Sequence, residues 1–115
     1  MNIAGLNMTE VSQRMEAYVQ SHIKGFTLSA GASMFQESYI FDFAEIKATI
    51  PPQYHHLFKD TDKFNGASGF IEHDSQEYTI MLLSDENYTT AHLLTLLWTD
   101  TSNKEHTAII GDFLA

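Results

Sequence analysis

The chain reads as an α+β domain: an N-terminal helix packed on a curved, mostly antiparallel sheet of four to five strands. Three observations predict it. An apolar stripe recurs at helical spacing near the start, a period-two alternation follows, and from Gly69 onward short β-rich runs are separated by polar turns. The 115 residues form one domain, 1–115, and are too few for two. With 43% apolar and 12% aromatic residues the chain can fill a core without staples, and at 18% charged it lacks the composition of a disordered segment.

The helix is predicted over Thr9–Lys24. Thr9 suits the N-cap, and Glu10 and Glu16 lie toward the positive end of the dipole. Val11, Met15, Tyr18, Val19, His22 and Ile23 recur at the spacing that builds one apolar stripe. Lys24 suits the last turn and Gly25 the C′ position. Thr27–Ser33 is small and polar enough to be a loop. Over Met34–Phe43, Phe35, Tyr39, Phe41 and Phe43 share one parity against Gln36, Ser38 and Asp42, the pattern of a half-buried strand. Pro51-Pro52 opens a short helix through Gln53–Phe58, and Lys59–Gly69 reads as a long polar turn.

A meander is expected beyond that point. Phe70–His73 and Tyr78–Leu83 flank the turn Asp74–Glu77, Asp85–Asn87 make the next turn, and Thr101–Lys104 separate strands at Thr90–Thr99 and His106–Leu114. Ser84–Thr99 also fits a helix capped by Ser84 or Asp85, but Thr89, Thr90, Thr95 and Thr99 tip the balance to strand. This order, a leading helix and then a curling antiparallel sheet, resembles that of cystatin-like and NTF2-like folds. The resemblance extends to element order and to no motif.

Charge is unevenly placed. Six Lys and Arg face fifteen Asp and Glu, a formal −9. Residues 1–63 hold seven acids and five bases, whereas 64–115 hold eight acids and Lys104 alone. So few cations argue against nucleic acid, whose binders release counterions from phosphates, and against an anionic membrane surface. A partner held by charge would itself be basic.

Motifs for chemistry are scarce. Without cysteine there is no disulfide, thiolate metal site or Cys nucleophile. Gly66-Ala67-Ser68-Gly69 lacks the Lys-Ser/Thr of a phosphate loop, and no Gly-x-Ser-x-Gly elbow or HExxH pair occurs. No cofactor or metal is therefore expected. Six histidines (His22, His55, His56, His73, His92 and His106) are scattered, with His73 and His92 the pair that could approach from different strands beside Glu72 or Asp74. Asp60 and Asp62 read as a solvated turn, since no calcium-binding loop pattern follows. The N-terminus lacks a basic then continuously apolar leader, so a cytoplasmic location is expected.

Three functions fit these residues. The favoured one is a non-enzymatic acidic module that neutralises a basic protein, an immunity, inhibitor or nucleic-acid-mimic role, through Glu72, Asp74, Glu77, Asp85 and Glu86. The first alternative is a cone-shaped ligand-binding protein or small enzyme with a pocket of Phe41, Phe43, His73, Tyr78, His92, Leu94 and Trp98. The second is an oligomeric assembly subunit, with a homodimer formed through an apolar sheet face or the apolar C-terminal strand.

Overall fold

Met8–His22 forms α1, and its stripe does what its spacing implies: Met15 and Val19 are fully buried, with Tyr18 packed beside them. The computed structural model describes residues 8–22, 35–73 and 75–115. The loop expected over Thr27–Ser33 and the helix end at Lys24–Gly25 lie outside the described residues.

Five strands follow: β1 (Glu37–Asp42), β2 (Lys63–His73), β3 (Gln76–Asp85), β4 (Ala91–Thr99) and β5 (Glu105–Asp112). Each pairs antiparallel with the next in the order β1-β2-β3-β4-β5. The sheet is an open meander, so β1 and β5 remain edges. Ser84–Thr99 is not a helix: Ser84 and Asp85 end β3, a turn follows over 86–90, and Ala91–Thr99 is β4, where β-branched Thr95 and the run of leucines fill two sheet faces at once.

Each face buries its own cluster. Against α1 pack Phe35, Ala67, Ile71, Ile80, Leu82, Leu94 and Leu96. This inner cluster is the larger one, and burying the helix stripe in it follows from the need to remove apolar surface from water. On the outer face Phe64, Leu83 and Leu93 are covered by Phe43, Ile46 and Ile50. Those three residues belong to a compact segment between β1 and β2. It consists of α2 (Phe43–Ile46) and two 3₁₀ turns, Lys47–Thr49 and Pro52–Leu57.

Local chemistry fixes that segment. Asp42 caps α2, and the Glu45 carboxylate reaches back to the Asp42 amide at 3.1 Å. His55 Nε2 lies 2.7 Å from the Ile50 carbonyl, and the Tyr54 hydroxyl donates to the Asp112 carboxylate on β5. The helical turn expected after Pro51-Pro52 is thus present as a 3₁₀ turn. The turns at 43–49 were not legible, because four residues carry too little periodicity to register.

Two expectations need correction. Lys59–Gly69 is not a long polar turn, since most of it is the first half of β2, with Phe64, Asn65, Gly66 and Ala67 buried. Small residues there serve packing: a Cβ on Gly66 would stand 2.8 Å from the Phe41 ring. The aromatic run from Phe35 to Phe43 also does not share one face. Phe35 enters the inner cluster ahead of the strand, Tyr39 is exposed, and Phe41 and Phe43 join the outer cluster because Phe43 has already left the strand.

The C-terminal Phe113 and Leu114 dock within the chain. Phe113 meets Tyr18 edge-to-face at 5.4 Å, and Leu114 packs on the outer cluster. The last strand accordingly pairs within the sheet.

Candidate functional site

A meander places successive turns at alternate ends of the sheet. The β2–β3 connection and the β4–β5 turn (100–104) therefore share one end, and the β3–β4 turn (86–90) lies at the other. This geometry divides the acidic residues singled out in the sequence. Glu72 and Glu77 stand directly opposite each other in the ladder. Asp85 and Glu86 sit at the far end of β3, roughly 30 Å along ten strand residues. Asp74 lies outside the described residues.

The divided acids also differ in what occupies them. Asp85 Oδ1 accepts the Thr89 amide at 2.6 Å and the Thr90 amide at 3.0 Å, and its second oxygen accepts the Thr89 hydroxyl. Burial pushes this carboxyl up, yet the Thr89 hydroxyl and the two amides outweigh it and hold it below the usual value. Asp85 is therefore a turn-forming residue. Its backbone carbonyl accepts from the Tyr88 amide, where the chain takes a positive φ of 57°.

Asp100 behaves in the same way at the opposite end. It accepts the Ser102 and Lys104 amides at 2.8 and 3.0 Å and pairs with His106 Nε2 at 2.7 Å. The His106 hydrogen bond first, then the Lys104 amide, hold its carboxyl below the ordinary range. His106 in turn stacks on Trp98 at 5.2 Å and 16°, and Trp98 meets Tyr78 edge-on at 5.4 Å. These rings line a shallow depression of about 410 Å³ together with Gln76, Glu77 and Glu105.

Among the described residues Glu72 and Glu77 make no such turn contacts, and the register adds a third carboxylate to them. Residues directly opposite in an antiparallel ladder share a face. Thr99 pairs with Glu105 and lies two residues beyond Leu97, the partner of Thr79; Glu77 lies two residues before Thr79. Glu72, Glu77 and Glu105 thus form one row across the outer face. The next row holds Phe70, Thr79, Leu97 and Thr107, and the one after it Glu37, Ser68, Met81, Thr95 and Ile109.

Among the described residues, nothing covers this half of the outer face. Phe70 is 59% exposed and Ile109 39%, because the 43–58 segment covers only the rows of Phe41, Phe64, Leu83 and Leu93; Tyr39, which shares the row of Leu83 and Leu93 but stands on edge strand β1, is 54% exposed. No Lys or Arg occupies any of these strand positions. The nearest base in sequence is Lys104, in the β4–β5 turn.

The pocket expected from the sequence does not assemble. Phe41, Phe43 and His92 lie on the outer side, whereas Tyr78, Leu94 and Trp98 lie with α1 on the inner side, and Leu94 is fully buried. His73, paired with Gln76, and His92, beside the β3–β4 turn, stand at opposite ends of the sheet, so they do not converge. The His73 side chain lies outside the described residues.

His92 has a distinct setting. Leu83 pairs with Leu93 and Ser84 with Ala91, leaving His92 as the extra residue of a bulge. Its ring lies 5.6 Å from Phe58 and 5.3 Å from Phe64, and its Nδ1 is buried without a hydrogen-bond partner. Burial lowers its pKa, against a smaller opposing pull from Asp85.

Asp60 and Asp62 behave as turn residues. Asp62 accepts the Lys59 amide at 2.8 Å, and Asp60 faces Lys47 at 3.8 Å. Among the described residues no three His, Asp or Glu side chains are grouped to hold a metal, and no helix is long and apolar enough to cross a membrane.

Sequence reasoning missed Glu105, Glu37, Phe70 and Ile109. Their signal was available, since the alternation in each strand, combined with the alternating ends of a meander, assigns all four to one face. No family model matches this chain, and no curated protein or solved structure matches it either.

Proposed function

We propose that this protein is a non-enzymatic, cytoplasmic binding module that neutralises a basic protein partner. The observation that carries the reading is the row Glu72, Glu77 and Glu105 on a half-face where, among the described residues, no strand position holds Lys or Arg. Glu72 and Glu77 are like charges directly opposite in the ladder, an arrangement that is unfavourable in the free protein and is relieved by a cation laid between them. Such a rim steers a basic partner and sets its orientation. Asp85 and Glu86 are not part of this surface.

Immobilised wild-type protein and the triple variant Glu72→Gln/Glu77→Gln/Glu105→Gln, exposed to the same lysate and eluted by rising salt, test the reading. A basic protein held by the wild type, released as salt screens exposed charge pairs, and lost from the variant supports it. Equal retention by both would overturn it. Self-association is the second reading, favoured by the exposed Phe70, Tyr39 and Ile109. It requires a dimer in sedimentation that the charge-neutral variant strengthens.

A further inference from the structure

We infer that the open half of the outer face is a docking floor for an amphipathic helix of the partner, one whose apolar side is flanked at one end by Lys or Arg. The inference rests on the basic-partner reading and adds the shape and chemistry of what binds.

Three features of the molecule lead to it. First, the face is one continuous surface of which only half is sealed. The same strands that bury Phe64, Leu83 and Leu93 under Phe43, Ile46 and Ile50 carry on into half-buried Met81, packed on the edge of that cluster, half-buried Leu97, and exposed Phe70 and Ile109. Secondly, among the described residues the unpartnered carboxylates of this half-face gather at one end. The floor holds Phe70, Leu97, Met81 and Ile109 among Thr and Ser side chains, with Glu37 at its β1 edge accepting from the Tyr39 hydroxyl, and the carboxylates Glu72, Glu77 and Glu105 close one end of it. Thirdly, the rows set a length. From the row of Glu72 to that of Ser68 and Ile109 is four residues of β2, roughly 13 Å, which an α-helix of about 9 residues spans.

Charge decides between the occupants. A second copy of this chain brings a further −9 and its own unpaired glutamate row, so face-to-face dimerisation adds repulsion to any apolar gain. A helix with Leu, Ile or Met at i, i+3, i+4 and i+7 covers Phe70, Met81, Leu97 and Ile109. A basic last turn then meets the glutamates and complements that helix's own dipole. The apolar floor supplies affinity and the rim fixes direction.

The test uses the full chain and three synthetic peptides of about 16 residues, long enough to span the floor as a helix. One has leucines at helical spacing and four lysines in its last turn; in the second serine replaces leucine; in the third glutamine replaces lysine. Binding is followed by calorimetry and by amide shifts in labelled protein. The expected result is that the Leu/Lys peptide binds best, with shifts centred on Phe70, Leu97 and Ile109. Its Kd should rise at least about tenfold in Phe70→Ser/Ile109→Ser.

Other outcomes separate the two readings. If the serine peptide binds as tightly and only Glu72→Gln/Glu77→Gln/Glu105→Gln weakens it, the basic-partner reading stands and the floor falls. If the glutamine peptide binds as well as the Leu/Lys one, the basic-partner reading falls and the apolar floor alone is kept. Absence of binding by all three overturns both. A wild-type dimer that Phe70→Ser/Ile109→Ser converts to monomer assigns the floor to a second copy and overturns the inference. Unchanged melting of the single variant Phe70→Ser, at an exposed position, confirms that lost binding is not lost folding.

Discussion

The two halves of the outer sheet face are built by the same strands and differ in what lies on them. In one half, Phe43, Phe58 and Phe64 interlock at centroid separations of 4.8 to 5.9 Å beneath a segment pinned by Tyr54 and His55. In the other, Phe70 and Ile109 stand open beside a line of glutamates. Nothing in strand propensity separates them. The difference is that the chain itself supplies a cover for the first half, whereas the second half leaves Phe70 and Ile109 exposed beside the row of Glu72, Glu77 and Glu105. Packing seals one side, and the proposed binding surface is the other.

Substitution of Phe43 by Ala sharpens that contrast most. It empties a fully buried site and should cost about 3–5 kcal/mol in urea unfolding. The equally drastic Phe70→Ser should change the same midpoint by less than about 0.5 kcal/mol, being exposed. A comparable loss at Phe70 would show that the open half is in fact structural.

Gly66→Ala comes next. Its Cβ would press on the Phe41 ring at 2.8 Å, so a destabilisation of about 1–3 kcal/mol is expected by thermal melting. Asp85→Ala removes three hydrogen bonds from the β3–β4 turn and should cost about 1–2 kcal/mol near neutral pH. Its carboxyl is lowered in the fold, so this contribution is present above the ordinary carboxylate pKa and disappears as pH falls through the lowered value. Wild type and variant should therefore converge in acid-unfolding curves.

His92 gives a gentler dependence of opposite origin. Its pKa is lowered from 6.5, so the unfolded chain takes up the proton first. Stability should be flat above that value and fall as pH drops below it, and His92→Phe should remove this part of the slope in melts between about pH 7 and 5. The smallest effect is expected at the open end. Glu77→Gln relieves the Glu72–Glu77 opposition and should raise stability by a few tenths of a kcal/mol, less so in salt. A loss instead would mean that these glutamates are held by compensating partners.

Much of this architecture is legible in the order of residues. The spacing of Met15 and Val19 sets an amphipathic helix, the polar stretches near residues 75, 87 and 102 set a meander, although Gln76, Glu77 and Asp85, read as turn residues, belong to β3, and period-two alternation assigns residues to faces. Composition taken in isolation misleads at one place. Lys63–Gly69 contains Asn, Ser and glycines, which by themselves signal a loop. They form a strand because Phe41 on one side and the helix-facing cluster on the other need a thin backbone there.

The acidic site divides along the same line. Net charge, its concentration after residue 64 and the lack of cations between Phe64 and Asn103 are properties of the sequence alone. Which carboxylates act together is not, because proximity depends on strand direction. Glu77 and Asp85 lie eight residues apart on one strand and at opposite ends of the sheet, while Glu72 and Glu105, thirty-three residues apart, share a row. Local chemistry determines the elements and the sign of the charge. Only the pairing of distant strands decides which side chains meet, since that pairing is set by burial of apolar faces against one another and not by neighbours in the chain.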